Sequence, residues 1–176
     1  MLVDMILTYS QMTFDDIDEI HRMEMSVYDH PRDVPGIKFV ESLVMNCPDL
    51  TLVARDESGE IVGTMYGGLV HGTKMTERKI NGGHMPDGDT LCVFSESIRN
   101  DVRGNGIGKT IGCYYYDEWI VNGKNRTKRN QIKYFSTAVR ERHINWLKEL
   151  GFTLVGISEI KYGNEPWFDV LKHYPT

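Results

Sequence analysis

A mixed α/β fold, one sheet flanked by helices, follows from three features of the chain. Short apolar runs with strand-like alternation occur near the start, in the middle and at the end. Segments with helical periodicity separate them. A glycine-rich run, Arg103-Gly104-Asn105-Gly106-Ile107-Gly108-Lys109, links a strand to a helix in mid-chain. The 176 residues, 40% hydrophobic and 26% charged, suit a single domain over 1–176. No internal repeat divides it.

The elements follow in order. Met5–Tyr9 reads as a strand. Thr13 caps a helix whose first turns hold Asp15, Asp16, Asp18 and Glu19, acids that complement the helix dipole. Ile17, Ile20 and Val27 mark its apolar face, and Pro31 and Pro35 end it. A second helix covers Ile37–Met45. Leu50–Arg55 and Ile61–Val70 form a hairpin around the turn Asp56-Glu57-Ser58-Gly59. His71–Asp89 is polar and rich in glycine, a long loop or ragged hairpin arm. Thr90–Ile98 is a strand and Gly106–Val121 a helix. Asn122–Lys133 is a basic, solvated connection. Ile132–Val139 is a strand, Arg140–Leu150 a helix stopped by Gly151, Phe152–Tyr162 a strand, and Pro166–Tyr174 a last short strand.

Composition excludes several functions. Twenty Lys+Arg against 25 Asp+Glu leave a net charge of −5, which argues against a nucleic-acid partner bound through its phosphates. No apolar run approaches the roughly 18 residues that span a bilayer, so no membrane partner is expected. Cys47, Cys92 and Cys113 are odd in number and far apart, so neither a disulfide framework nor a CxxC metal site is expected. A cytoplasmic location, no metal cofactor, and a monomer or homodimer complete these expectations.

The glycine run carries the chemistry. Gly104, Gly106 and Gly108 bare successive backbone N–H groups at a helix N-terminus, which suits a pyrophosphate. Arg103 and Lys109 add charge. A P-loop fails on spacing, because Arg103 stands where its first glycine belongs. A dinucleotide fingerprint fails too, since the run reads G-x-G-x-G rather than G-x-G-x-x-G. The remaining pattern, R-x-x-G-x-G over Arg103, Gly106 and Gly108, resembles the acetyl-CoA loop of the GNAT acetyltransferase superfamily.

Other stretches extend the resemblance over most of the chain. Trp146-Leu147-Lys148-Glu149-Leu150-Gly151-Phe152 is similar to a helix ending of that superfamily. Met23–Tyr28, Cys47–Leu50, Ile61–Gly63, Gly88–Val93 and Gly163–Phe168 resemble its arylalkylamine N-acetyltransferase-like branch. The resemblance implies a mixed, mostly antiparallel sheet whose strands splay at the acetyl-CoA site. It implies acetyl-CoA as co-substrate and a small primary amine, an arylalkylamine or polyamine, as acceptor. It assigns the cofactor to Arg103, Gly104, Asn105, Gly106, Ile107, Gly108 and Lys109, and to the backbone of Glu96, Ser97 and Ile98. Two positions depart from the family. Phe94 stands where a histidine is common, and Leu147 where a tyrosine protonates the leaving thiolate. An acyl-CoA sensor without turnover and a protein or peptide N-acetyltransferase are therefore alternatives.

Acyl transfer to an amine needs a neutral amine, a polarised carbonyl and a protonated thiol. Freeing an alkylammonium of its proton near neutral pH costs about 4 kcal/mol, so a base or relay is required. Alternation along Thr90–Ile98 places Cys92, Phe94, Glu96 and Ile98 on one face. Cys92 and Glu96 are thus candidates for proton transfer, and Phe94 for acceptor contact. Glu24 falls on the apolar stripe of the first helix, where a carboxylate is either buried with a partner or faces a cavity. A cavity would make Glu24 a base or amine anchor, with Tyr28 beside it. His71, His84, His143, Tyr114–Tyr116 and the basic run Lys124, Arg126, Lys128, Arg129 and Lys133 read mainly as surface or core residues.

Overall fold

A computed structural model describes residues 5–123 and 131–174. The strands are β1 (Thr8–Ser10), β2 (Thr51–Arg55), β3 (Ile61–Val70), β4 (Thr90–Ile98), β5 (Tyr134–Arg140), β6 (Thr153–Ile157) and β7 (Trp167–His173). The helices are α1 (Ile17–Val27), α2 (Ile37–Asn46), α3 (Glu77–Gly82), α4 (Ile107–Cys113) and α5 (Ile144–Glu149). One seven-stranded sheet runs β1-β2-β3-β4-β5-β7-β6. Every pair is antiparallel except β4–β5. Among the described residues no helix is long and apolar enough to cross a membrane.

β1 starts at Thr8 rather than Met5, Arg140 belongs to β5 rather than to the last helix, β6 ends at Ile157 rather than Tyr162, and two further stretches differ more. The stretch expected as a loop over His71–Asp89 contains α3, started by Thr76, whose side chain accepts from the Lys79 N–H at 3.3 Å. Six residues is too short for helical periodicity to stand out. The helix after the glycine run changes to π winding over Tyr114–Asn122. Within it the consecutive Tyr115 and Tyr116 are both fully buried. Lys124, Arg126, Lys128 and Arg129 lie outside the described residues.

The side chains of β4 define the two sheet faces. Ser95 and Ser97 reach Glu24 of α1. Between them Glu96 turns the other way and accepts from Tyr116 of the π segment. Leu91 pairs with Phe135, whose ring packs on Tyr116, so Leu91 shares the face of Glu96. Cys92, one residue on, lies on the opposite face against Met75, with the sulfurs 3.4 Å apart.

An odd and an even residue can share a face only if the strand contains an extra residue. That residue is Phe94. Tyr66 pairs with Ser95 and Gly67 with Val93, leaving Phe94 as a β-bulge. Its ring packs edge-on against Phe39 of α2. The expectation that Cys92, Phe94, Glu96 and Ile98 line one face is thus corrected. Cys92 and Phe94 face α2 and its neighbours, whereas Glu96 faces the π segment. Gly67 permits the bulge, since a Cβ there would stand 2.3 Å from the Cys92 carbonyl oxygen.

Candidate active site

The parallel pairing of β4 and β5 stops early. It covers Thr90–Cys92 against Tyr134–Ser136, followed by one hydrogen bond from Thr137 Oγ1 to the Val93 carbonyl at 3.0 Å. Beyond that point the strands separate, and two adjoining clefts fill the gap. The first reaches Tyr28, Glu96, Arg103, His143 and Trp146. The second, of about 430 Å³, reaches Phe39, Met75, Ile80, Ile160 and Tyr162. Asp33, Phe94, Thr137, Ala138 and Trp167 border both, so the bulge stands where the clefts meet.

The backbone of β4 also serves the gap. The Arg99 N–H donates to Val62 O at 2.9 Å. In an antiparallel ladder, residues bonded to the partner strand alternate with residues whose N–H and C=O point away. Ser97 and Ser95 therefore bond β3, while Glu96 and Ile98 turn their main chain towards the gap. The sequence expectation named Glu96, Ser97 and Ile98 together; the main chain of Ser97 is committed to β3. The Ile98 carbonyl accepts from Arg103 Nε at 3.0 Å.

The glycine run closes one end. Gly104 and Gly106 have φ of 81° and 80°, a left-handed conformation that favours glycine. A Cβ on either would meet nothing within 4 Å. Gly106 caps α4. No backbone N–H from Gly104 to Gly108 donates to an acceptor among the described residues. These are the unsatisfied donors of a helix start, with space before them. Ile107 roots the loop in the core. Asn105 is exposed. Lys109 is drawn aside by Glu149 at 3.0 Å. A diphosphate fits this cradle, and an extended thiol arm fits along the free edge of β4.

Glu96 lies half-buried in the wall of the first cleft, hydrogen-bonded by Tyr116. Burial raises its pKa to about 7, against the lowering effect of that hydrogen bond. Glu24 is fully buried and borders neither cleft. Tyr66 donates to both its oxygens at 2.9 and 3.0 Å, and Ser95 Oγ donates at 2.5 Å. Burial raises its pKa to about 7 despite these hydrogen bonds. Its link to the site is indirect. The Tyr28 hydroxyl lies 2.9 Å from Ser95 Oγ, and Tyr28 borders the first cleft. Burial, then the Glu24 charge, holds the Tyr28 hydroxyl well above its ordinary pKa.

Cys92 is fully buried and borders neither cleft. Burial pushes its thiol well above the ordinary value, the opposite of what a base or nucleophile needs. Leu147 is likewise fully buried. Its neighbour Trp146 and His143 face the cleft instead. Burial, then Arg142 and Arg103, lowers the pKa of His143. His84 accepts from the Leu69 N–H at 3.1 Å, and His71 pairs with Asp87 at 3.2 Å; neither borders these clefts.

Sequence reasoning missed the ion pair between Asp33 and Arg140, 3.1 Å apart and almost wholly buried. The partners are 107 positions apart, so no local pattern could join them. The bulge did leave a trace: consecutive glycines, Gly67-Gly68, in the middle of a strand.

No family model matches the sequence, and a search of curated proteins found no match. Solved structures do match over nearly the whole chain. The loading GNATL domain of CurA from Lyngbya majuscula aligns with a TM-score of 0.77 at 9% identity, covering 96% of this chain and 98% of that one. A GNAT-like decarboxylase, GphF, in complex with isobutyryl-CoA aligns at 0.73 and 16% identity, covering 96% and 100%. A GNAT superfamily phosphinothricin acetyltransferase from Sinorhizobium meliloti, in complex with AcCoA, aligns at 0.64 and 16% identity, covering 96% and 88%. The splayed pair β4–β5, the bulge and the glycine cradle thus lie in a chain that has the GNAT fold.

Proposed function

We propose that the protein is a CoA-dependent N-acyltransferase that moves an acetyl group from acetyl-CoA to a small primary amine. The observation that carries this reading is the row of free main-chain donors from Gly104 to Gly108, set at the end of a gap between separating strands. Two of the structural neighbours hold a CoA thioester, which supports the same ligand here.

Bound acetyl-CoA supplies an activated acyl group. The loop N–H groups and Arg103 hold its diphosphate by charge-assisted hydrogen bonds. The outward main chain of Glu96 pairs with its extended arm, and the free backbone at the bulge can polarise the thioester carbonyl. Glu96 takes the proton from the amine, its pKa near the working pH as a general base requires. Tyr28 stays protonated and can pass its proton to the departing thiolate; Ser95 and protonated Glu24 then turn their O–H groups towards Tyr28 to replace it, the reverse of the donation from Ser95 to Glu24 described above. Phe94 shapes the meeting point of the two substrates. The resemblance noted above favours an arylalkylamine or polyamine acceptor.

The test is to mix the purified protein with acetyl-CoA and primary amines, peptides included, and to follow thiol release. Release that needs both acetyl-CoA and an amine supports the assignment. Tight acetyl-CoA binding without consumption of any amine shifts it to a sensor.

A further inference from the structure

We propose that Asp33 anchors the acceptor, its Oδ1 receiving an N–H of a cationic monoamine whose apolar body occupies the second cleft. The inference rests on the N-acyltransferase reading above and assigns the acceptor's site and chemical class.

Asp33 lies between α1 and α2, with only 5% of its side chain exposed, and borders both clefts. Its Oδ2 is held by Arg140 at 3.1 Å. Arg140 is otherwise engaged. It donates to the carbonyls of Tyr162, at 3.0 Å, and Glu165, and its guanidinium stacks 4.0 Å from the centre of the Trp167 ring. Among the described residues Asp33 Oδ1 has no hydrogen-bond partner. A buried carboxylate oxygen without a donor is costly, and native structures rarely leave one unused. A carboxylate oxygen accepts, so the group that pairs with it is a donor.

The surroundings set the rest of the ligand. Phe39, Phe94, Tyr162 and Trp167 give the second cleft aromatic walls, with Val34 and Ile160 adding aliphatic surface. Such walls favour a hydrocarbon or ring body. They offer no second carboxylate to a polyamine. Arg32, exposed at the rim, is the cation among the second cleft's lining residues, and Arg140, which borders the first cleft, is committed to its own partners, so a ligand carboxylate would find no buried partner.

The experiment compares phenethylamine, spermidine and phenylalanine as acceptors for the full chain with acetyl-CoA. Phenethylamine is expected to exceed each of the others in kcat/KM by about tenfold or more, because spermidine would bring a further cation, and phenylalanine a carboxylate, against walls that offer neither a partner. Asp33→Asn is expected to raise KM for phenethylamine by a similar factor while KM for acetyl-CoA stays within about twofold. Thermal melting reports whether that variant folds; if it does not, the wild-type comparison alone decides. Equal or better use of spermidine or phenylalanine overturns the inference and leaves the N-acyltransferase reading intact. So does a folded Asp33→Asn protein with unchanged amine KM. If acetyl-CoA binds and no amine is consumed, the underlying reading falls and the inference with it.

Discussion

Replacing Gly106 by alanine separates the energy of the loop's conformation from its function. The residue has φ of 80°, and its new Cβ would meet no protein atom within 4 Å. The stability loss is therefore conformational alone, about 1–2 kcal/mol for an L-residue held in the left-handed region. For a chain of this length that lowers Tm by about 2–8 °C. The effect on CoA is different in kind, because the methyl group enters the space that phosphate oxygens would occupy. Losing two hydrogen bonds to a charged group, each worth about 1.5–3 kcal/mol, weakens binding by more than about 100-fold. Gly59 supplies the control. It has φ of 86°, also with nothing within 4 Å, and it lies in the β2–β3 turn. Gly59→Ala should cost similar stability and leave CoA binding unchanged. Isothermal titration with CoA and thermal melts of both variants make the comparison. If Gly106→Ala binds CoA as tightly as Gly59→Ala does, the loop is not the phosphate cradle.

Glu96→Gln should lower kcat by about 10²–10⁴-fold, as loss of a general base does, with CoA binding retained. In the wild type kcat/KM should rise with pH through an inflection near 7, a limb the variant lacks; a retained limb would assign the base elsewhere. Glu24 keeps its proton up to about pH 7 when folded, against 4.5 for an ordinary glutamate. Between those values the folded state holds more protons, so stability falls as pH rises, by up to about 3 kcal/mol. Glu96 adds a slope of the same sign, and Glu24→Gln should remove only its own share; denaturant melts from pH 4 to 8 that superimpose for the two proteins would contradict this. Arg140→Met strands the Asp33 carboxylate and should cost about 3–5 kcal/mol in stability, and a cost below about 1 kcal/mol would mean that Asp33 does not depend on Arg140 as a buried partner.

The legible parts of the chain were those whose cause is local. The turn Asp56-Glu57-Ser58-Gly59 and the apolar run after it marked β3, the apolar run Thr90–Ile98 marked β4, Gly106 and the apolar residues after it marked α4, and Gly151 marked the end of the last helix. The cradle could be found because its requirement, bare amides at a helix start, is met by neighbours in sequence. Elsewhere a distant contact decided. Period-two reasoning put Cys92 and Glu96 on one face. The bulge at Phe94 exists only because Gly67, on another strand, lets the backbones approach, and it reversed the alternation halfway along β4.

Glu24 was correctly singled out as a carboxylate on an apolar stripe. Whether it met a partner or a pocket depended on Tyr66 and Ser95, 42 and 71 positions away. The sequence by itself determined the order of the strands and of the helices other than α3, and the run of bare amides at the start of α4, because local periodicity and glycine placement are sufficient causes for both. Tertiary structure alone decided which carboxylates border the clefts. Burial, pairing and facing are properties of surfaces brought together by the sheet, as the joining of Asp33 to Arg140 illustrates.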